Sequence, residues 1–383
     1  MKEIHSLIDY LKIICNRPFI ADTSDYPNNR YLADMNEVVK EFIAKSDFLS
    51  DKEPKMDFPS EELTAFISQY HEYLYSYVYK RKSEAELNSD NKKPLAFFYR
   101  GVSNRIHPIA SGIYRSNERH EENYYFNEIS VRCPDAFRTL NNLEKLTYMQ
   151  HYGCPTRLLD ITSKPLVALY FACLGNKDKD GIVYIFSVNA NEVLYSDSDR
   201  IQMLSKLAEF RKRDQEQLRL LAYRYILKDK FPQQSNGKYR HSMLERYYHA
   251  IKRHNGAFER EIVPFDMLKP QFVQPNKDNP RILKQDGAFI VSGLDENDAE
   301  SDMKIRKYLA NEVIVPHSVK KAILDELEYV GINQATLFPE VDKVADYLRQ
   351  KPYTLEVFPC PTLATASAKL KTVWSSSSGT SCT

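Results

Sequence analysis

Apolar residues recur at helical spacing throughout the first 90 residues of the chain. Within residues 2–15 they lie at positions i, i+3, i+4 and i+7, and the same spacing returns in residues 31–46 and 60–82. This spacing places the apolar side chains on one face of a helix. The polar residues 82–94 follow and have the composition of a linker. The pattern therefore predicts a helical N-terminal region over residues 1–90.

Beyond residue 90, short apolar runs alternate with longer helical patterns. The runs that predict strands are "LAFFYRG" at 95–101, "GIVYIFSV" at 181–188, "GAFIVSG" at 287–293 and "NEVIVP" at 311–316. The stretches that predict helices are 121–150, 199–229, 240–254, 318–332 and 340–350. This mixture indicates an α+β fold in which helices surround a mixed central sheet. We take residues 91–355 as one domain, followed by a Ser/Thr-rich tail at 356–383 that we expect to be disordered.

Composition narrows the class of protein. The 53 basic and 52 acidic residues give a formal net charge of +1, which creates no general attraction to nucleic acid or membrane. No apolar run approaches the roughly 20 residues of a membrane helix, and Glu3 and Asp9 interrupt the N-terminal pattern, unlike a signal peptide. The six cysteines include no CxxC pair, so we expect no zinc site and no disulfide framework. These features predict a cytoplasmic protein without metal.

The segment 211–260 is locally basic. It holds 13 Lys and Arg residues against 5 Asp and Glu, with five tyrosines among them. Such a charge run is usually a solvated helix face. The alternative is a surface for a phosphate-bearing ligand such as nucleic acid.

An arginine ends the first predicted strand, in "FFYRGVSN". The sheet would hold Arg100 in place while its guanidinium projects into a cleft, where the planar fork suits a phosphate or a carboxylate. The alternative is that Arg100 pairs with a nearby carboxylate and ties down the strand end.

The segment "HYGCPTRLLDITSKPLVALYFA" at 151–172 combines many polar groups with a long apolar run. Gly153 and Pro155 predict a turn, and proline is favoured in a first helical turn, so a buried helix is expected to begin near Pro165. Thr162 or Ser163 would then cap that helix.

Asp160 has three open interpretations at this place. It caps the helix, it pairs with Arg157 or Arg100, or it is a catalytic acid. With Tyr152 beside a bend, His151 is a candidate for a cleft. Gln285 stands just ahead of the strand that Gly287 begins, and a glycine there permits close approach of a ligand.

Together these pieces resemble the FRG domain family. The motifs that carry the resemblance are "FYRG" at 98–101, "HYGCPTRLLDITSKPLVALYFA" at 151–172, "RILKQDGAF" at 281–289 and "GINQATLFPEVDKVADYL" at 331–348. Their order and spacing cover about residues 95–350, and Ile161 stands where the family usually has tryptophan. The resemblance implies a bacterial cytoplasmic effector of the kind found in toxin and anti-phage defence loci, with an antitoxin or defence protein as partner.

A weaker resemblance is to ADP-ribosyltransferases, which carry a strand arginine, often as "YRG", that binds the phosphates of NAD. It implies that NAD is a substrate and that Arg100, Gly101, Arg157, Thr162 and Gln285 form its binding cleft. Gly287 occupies the position at which these enzymes have a catalytic glutamate.

The catalytic residues implied by that resemblance are His151 or Tyr152 at the nicotinamide ribose and Asp160 or Glu261 as the acid. Glu261 belongs to a second acidic motif, "FERE", at 258–261. The enzyme would transfer ADP-ribose to a protein or nucleic-acid acceptor, or hydrolyse NAD. Two other functions stay open, namely a nucleic-acid-binding or nucleic-acid-acting effector that uses the basic segment 211–260, and a non-catalytic ligand-sensing module.

Overall fold

A computed structural model describes residues 2–15, 65–66, 69, 94–115, 122–227, 234–235, 238–239, 241–259 and 262–350. The predicted helix at 31–46, most of the one at 60–82, nearly all of the linker and the predicted tail lie outside these residues.

The described strands form one large sheet and one small hairpin. The strands of the large sheet are β1 (Lys2–Glu3), β2 (Leu95–Val102), β3 (Leu158–Thr162), β4 (Gly181–Asn189), β5 (Leu194–Tyr195), β8 (Gln271–Gln274), β9 (Gly287–Val291) and β10 (Leu309–Val315). The hairpin pairs β6 (Gln234–Ser235) with β7 (Lys238–Tyr239).

Helices pack around this sheet. They are α1 (Leu7–Cys15), α2 (Gly112–Arg115), α3 (Glu122–Arg132), α4 (Pro134–Phe137), α5 (Asn142–His151), α6 (Pro165–Cys173), α7 (Asp199–Lys206), α8 (Lys212–Leu227), α9 (Ser242–Lys252), α10 (Pro264–Leu268), α11 (Pro280–Gln285), α12 (Asp298–Arg306), α13 (Lys320–Tyr329), α14 (Gln334–Leu337) and α15 (Val341–Gln350). In the described part of the chain, no helix is long and apolar enough to cross a membrane.

The large sheet has the strand order β1-β10-β4-β2-β3-β9-β8-β5. The outer pairs β1–β10 and β5–β8 are parallel, and the inner pairs are antiparallel. A mixed sheet surrounded by helices confirms the predicted α+β class.

The sheet is nearly divided between β2 and β3. Strand β2 pairs with β4 along its whole length, and β3 pairs with β9 along its whole length. Strands β2 and β3, in contrast, pair only at Tyr99 and Thr162. We call this junction the seam, because it joins two half-sheets through one residue pair.

Two hydrophobic cores lie on the same face of the sheet, one over each half. Directly paired residues of antiparallel strands share a face, so Tyr99, Ile185 and Thr162 lie on one side. Tyr99 and Ile185 belong to the core under α1, α6 and α13, whereas Leu158 and Val291 belong to the core under α5, α7 and α9. The space between these two cores opens at the seam.

The breaks between helices have local chemical causes. The predicted helix at 121–150 is three helices, because Pro134 has no backbone N–H to continue α3 and Asn141 forms a capping box with Glu144 that begins α5. The predicted helix at 199–229 is likewise divided into α7, a 3₁₀ turn and α8. The predicted strands at 181, 287 and 311 are confirmed as β4, β9 and β10.

The first residues of the chain belong to the main sheet. Lys2–Glu3 pairs with β10, and the helix begins at Leu7 rather than at Lys2. The Leu7 N–H donates to Oε2 of Glu326 over 2.7 Å, and the buried Tyr10 hydroxyl donates to the Pro165 carbonyl over 3.0 Å. These contacts fasten α1 to α13 and to the start of α6.

Candidate functional site

A cleft with a cavity volume of about 270 Å³ lies at the seam. Its floor consists of the facing segments of β2 and β3 and the first residues of β9, and its walls are α5, α6 and α11. The predicted site residues that line it are Arg100, Gly101, His151, Asp160, Thr162 and Gln285. The chain thus brings together residues that are separated by up to 185 positions, from 100 to 285.

Gly101 sets the distance between β2 and α6. A Cβ atom at this position would fall on the carbonyl oxygen of Ala168 and lie 2.7 Å from the Ala172 nitrogen. Gly181 on β4 meets α6 in the same way, at the Ala172 carbonyl. The two glycines therefore let α6 cross the sheet closely, and Gly101 serves this packing as well as lining the cleft.

Arg100 leaves β2 on the opposite face from Tyr99 and reaches across the seam. In the strand register Arg100 lies opposite Tyr184 of β4. Its Nη1 donates to the backbone carbonyl oxygen of Asp160 over 2.6 Å. No residue of β2 pairs with Asp160, so the guanidinium binds a strand-edge carbonyl that the backbone of β2 does not reach. Burial lowers the pKa of Arg100 to about 10, which the Asp160 carboxylate partly offsets and the Arg115 cation increases.

Asp160 is the one carboxylate among the described residues that line the cleft. Its Oδ1 accepts a hydrogen bond from Nε2 of Gln150 over 2.7 Å, and the side-chain Oε1 of Gln150 in turn accepts from the Thr156 hydroxyl. The pairing with Arg157 that the sequence suggested is wrong, because the Arg157 side chain lies elsewhere. Asp160 is exposed in the middle of a strand that is otherwise buried.

The expected helix cap at Thr162 or Ser163 is wrong, although α6 does begin at Pro165. Lys164 occupies the cap position and makes no side-chain cap. The Thr162 hydroxyl instead accepts from the Lys164 N–H over 3.0 Å and donates to the Gln285 carbonyl over 2.6 Å, while the Ser163 hydroxyl binds Asp286. Thr162 thus joins β3 to the end of α11.

Gln285 makes a comparable hydrogen bond between two helical segments. Its Nε2 donates to the carbonyl of Leu337 over 3.0 Å and so links α11 to α14. Both Thr162 and Gln285 line the cleft, but their donor groups already bind the protein. A ligand could therefore use their side-chain oxygen atoms as hydrogen-bond acceptors and pack against their surfaces.

His151 lines the cleft and Tyr152 does not. Nε2 of His151 lies 3.8 Å from Oε1 of Glu340, whose other oxygen is buried and has no hydrogen-bond partner among the described residues. The Tyr152 side chain is 68% exposed, and its ring packs on Tyr148 at 4.8 Å and on His151 at 5.0 Å. Tyr152 stands beside the cleft, on the outside of α5.

Arg157 belongs to the core and not to the cleft. Its Nε donates to Oε1 of Glu122 over 3.1 Å, and its Nη2 binds Glu122 and Gln215. Both charged side chains are fully or almost fully buried. The expectation that Arg157 binds a cofactor is therefore not supported by its position, because an apolar core and an ion pair enclose its guanidinium.

Glu261, the second acid that the sequence suggested, lies outside the described residues. The residues that the sequence did not single out are Gln150, Arg281 and Glu340. Gln150 and Arg281 line the cleft, and Glu340 adjoins it through His151. The sequence contained little indication of these residues. Arg281 and Glu340 could be noticed only because they lie within the motifs at 281–289 and 331–348.

Part of the basic segment 211–260 belongs to the core. Tyr223, Tyr247 and Tyr248 are buried, and Arg219 is 1% exposed within ion pairs to Glu216, Glu296 and Glu300. Stacking of bases requires exposed rings. These three rings are therefore closed to base stacking, whereas Arg211, Lys212 and Arg213 are exposed, so the nucleic-acid alternative stays a prediction.

The chain contains an FRG domain, since the family model of that domain matches residues 95–181. The match begins with β2, includes the whole 151–172 segment and ends at the first residue of β4. It is shorter than the resemblance over residues 95–350 that the motifs indicated. Comparisons with curated proteins and with solved structures gave no match.

Proposed function

We propose that the chain is an NAD-consuming enzyme that binds NAD in the seam cleft and breaks the bond between nicotinamide and ribose. The observation that carries the proposal is the position of Asp160. A carboxylate held by Gln150 faces a cleft that also contains guanidinium groups. A cationic cleft with one acid suits a ligand that carries phosphates and develops positive charge at a sugar carbon.

The chemistry assigns a separate task to each group. When the bond from the ribose C1′ to the nicotinamide nitrogen breaks, its electron pair leaves with nicotinamide and C1′ becomes oxocarbenium-like. The carboxylate of Asp160 stabilises that charge. Arg100 binds the pyrophosphate with the donors that the Asp160 carbonyl does not use, and His151 contacts the ribose. Water or an acceptor nucleophile then attacks C1′ and loses its proton.

The setting proposed for this activity rests on the FRG resemblance. The FRG resemblance supports an effector of the bacterial cytoplasm, in a toxin or anti-phage defence system with a partner that restrains it. Expression in bacterial cells should then slow growth. Arg100→Ala and Asp160→Asn should each restore growth at equal protein levels.

Release of nicotinamide from NAD by the purified protein tests the proposal directly. The expected result is turnover by the natural chain and a loss on the order of a hundredfold in Asp160→Asn. Labelled NAD identifies whether the ADP-ribose goes to water, protein or nucleic acid. Binding of NAD without release of nicotinamide would overturn the enzyme proposal and favour the ligand-sensing module.

A further inference from the structure

Arg281 occupies an unusual position in the wall of the cleft. It lies in the first turn of α11, and its guanidinium carbon stands 4.6 Å from the centroid of the Phe338 ring. Phe338 packs edge-on against Phe171 of α6, with 6.0 Å between the ring centroids. Arg281 therefore rests on an aromatic support that spans from α14 to α6.

The guanidinium of Arg281 has no ion pair with a carboxylate in the part of the chain that the structure describes. The neighbouring cation Lys277, by comparison, binds the Asp286 carboxylate. Stacking uses the face of a guanidinium and leaves the N–H groups at its edge available. The N–H donors of Arg281 are thus cationic donors of the cleft that no described carboxylate engages.

Arg100 is the weaker candidate for the main anion contact. One of its donors is committed to the Asp160 carbonyl. No described residue accepts a hydrogen bond from the Arg281 guanidinium. Beside it, Ile282 and Phe171 offer apolar surface to the part of a ligand that carries no charge.

We propose that Arg281, supported by Phe338, is the principal phosphate-binding residue of the cleft and selects nucleotide-like ligands that carry a phosphate next to an apolar group. This inference rests on the proposed function for the choice of NAD as the ligand. The phosphate site itself requires no catalysis. Arg281 and Phe338 both lie outside the matched residues 95–181, so the C-terminal half of the chain contributes this specificity.

Calorimetric titration with ADP-ribose and with adenosine separates the phosphate contact from the rest of the site. Arg281→Gln should weaken ADP-ribose binding about 10- to 100-fold, the range for losing a charged hydrogen bond. Adenosine affinity should not change. Phe338→Leu should weaken ADP-ribose binding by a smaller factor, because the guanidinium loses its support. Arg138→Gln, an exposed arginine on the loop after α4, is the matched control.

The outcomes distinguish this inference from the proposed function. ADP-ribose binding that depends on Arg281, without release of nicotinamide from NAD, supports the phosphate site and contradicts the enzyme. Release of nicotinamide that Arg281→Gln leaves unchanged supports the enzyme and overturns the site. Natural protein that binds ADP-ribose no better than adenosine also overturns it. A melting temperature for each variant excludes misfolding as the cause.

Discussion

Gln150 donates a hydrogen bond from Nε2 to Oδ1 of Asp160 over 2.7 Å and so connects the last turn of α5 to the middle of β3. The helix is a wall of the cleft, and the strand is part of its floor. This bond holds the acid on which the proposed chemistry depends. A variant that keeps the bond but loses the charge can therefore distinguish the structural role of Asp160 from its catalytic role.

Asp160→Asn should reduce NAD turnover on the order of a hundredfold, because an amide carries no charge to stabilise the sugar cation. The melting temperature should change little, since the amide oxygen still accepts from Gln150 and Arg100 binds the backbone carbonyl. Nicotinamide release and thermal unfolding of the same preparation check both parts. Lost stability with turnover retained per folded molecule would remove Asp160 from the catalytic residues.

Arg157→Ala should lower the free energy of unfolding by about 3–5 kcal/mol, the cost of leaving a buried charge without its partner. The charge left behind is that of Glu122, which is almost fully buried. Denaturant titration measures the change. The control is Arg138→Ala, which removes an exposed pair with Asp135 and should cost at most about 1 kcal/mol. Equal stability of the two variants would contradict the buried ion pair.

Gly101→Ala should destabilise the protein by about 1–3 kcal/mol or more, because the added methyl group would collide with the Ala168 carbonyl of α6. Backbone atoms of a packed helix move less readily than a side chain. Gly256→Ala is the control, because nothing lies within 4 Å of its added methyl group. We expect the control to stay within about 0.5 kcal/mol of the natural protein in thermal unfolding.

The pH dependence of stability should include a contribution from His254. Its Nδ1 lies 2.7 Å from Nζ of Lys206, which also binds Glu209 over 2.7 Å. Burial lowers the pKa of His254 below its ordinary 6.5; the Lys206 and Lys145 cations lower it further, and Glu209 opposes them. The unfolded chain therefore binds this proton at a higher pH than the folded protein does, so stability falls as the pH drops from about 7 towards 5.

His254→Gln should flatten that pH dependence. Unfolding free energies at several pH values compare the natural chain with the variant. The exposed His107→Gln variant controls for the loss of one histidine. A slope unchanged by His254→Gln would show that Lys206 does not act on this imidazole as the structure indicates.

The sequence predicted the fold class and the strands that consist of long apolar runs. It did not predict β3, because "LLDIT" is buried on both faces and lies in a segment rich in turn residues and polar groups. Strand β8 and helices α11 and α12 were missed for a similar reason, since they are short or have little periodicity. Local patterns carry less information where tertiary packing decides the structure.

For the site, the sequence predicted the groups that project from local motifs but not their partners. Arg100, His151 and Asp160 do line one cleft. Arg157 was misplaced because the position of Glu122, 35 residues away, follows only from the packing of α3 on the sheet. Arg281 was missed because its aromatic support comes from Phe338, 57 positions further along the chain (338 − 281).

The seam affects how easily the two half-sheets can rotate against each other, in a way that an unbroken sheet would not. The two half-sheets meet at the pair Tyr99–Thr162. Rotation of one half-sheet against the other therefore strains a single residue pair and not a continuous ladder of backbone hydrogen bonds. The hydrogen bond from Arg100 to the Asp160 carbonyl resists this rotation, because it joins β2 to β3. A ligand that contacts both half-sheets would add a second link between them, so we expect its binding to restrict their relative rotation.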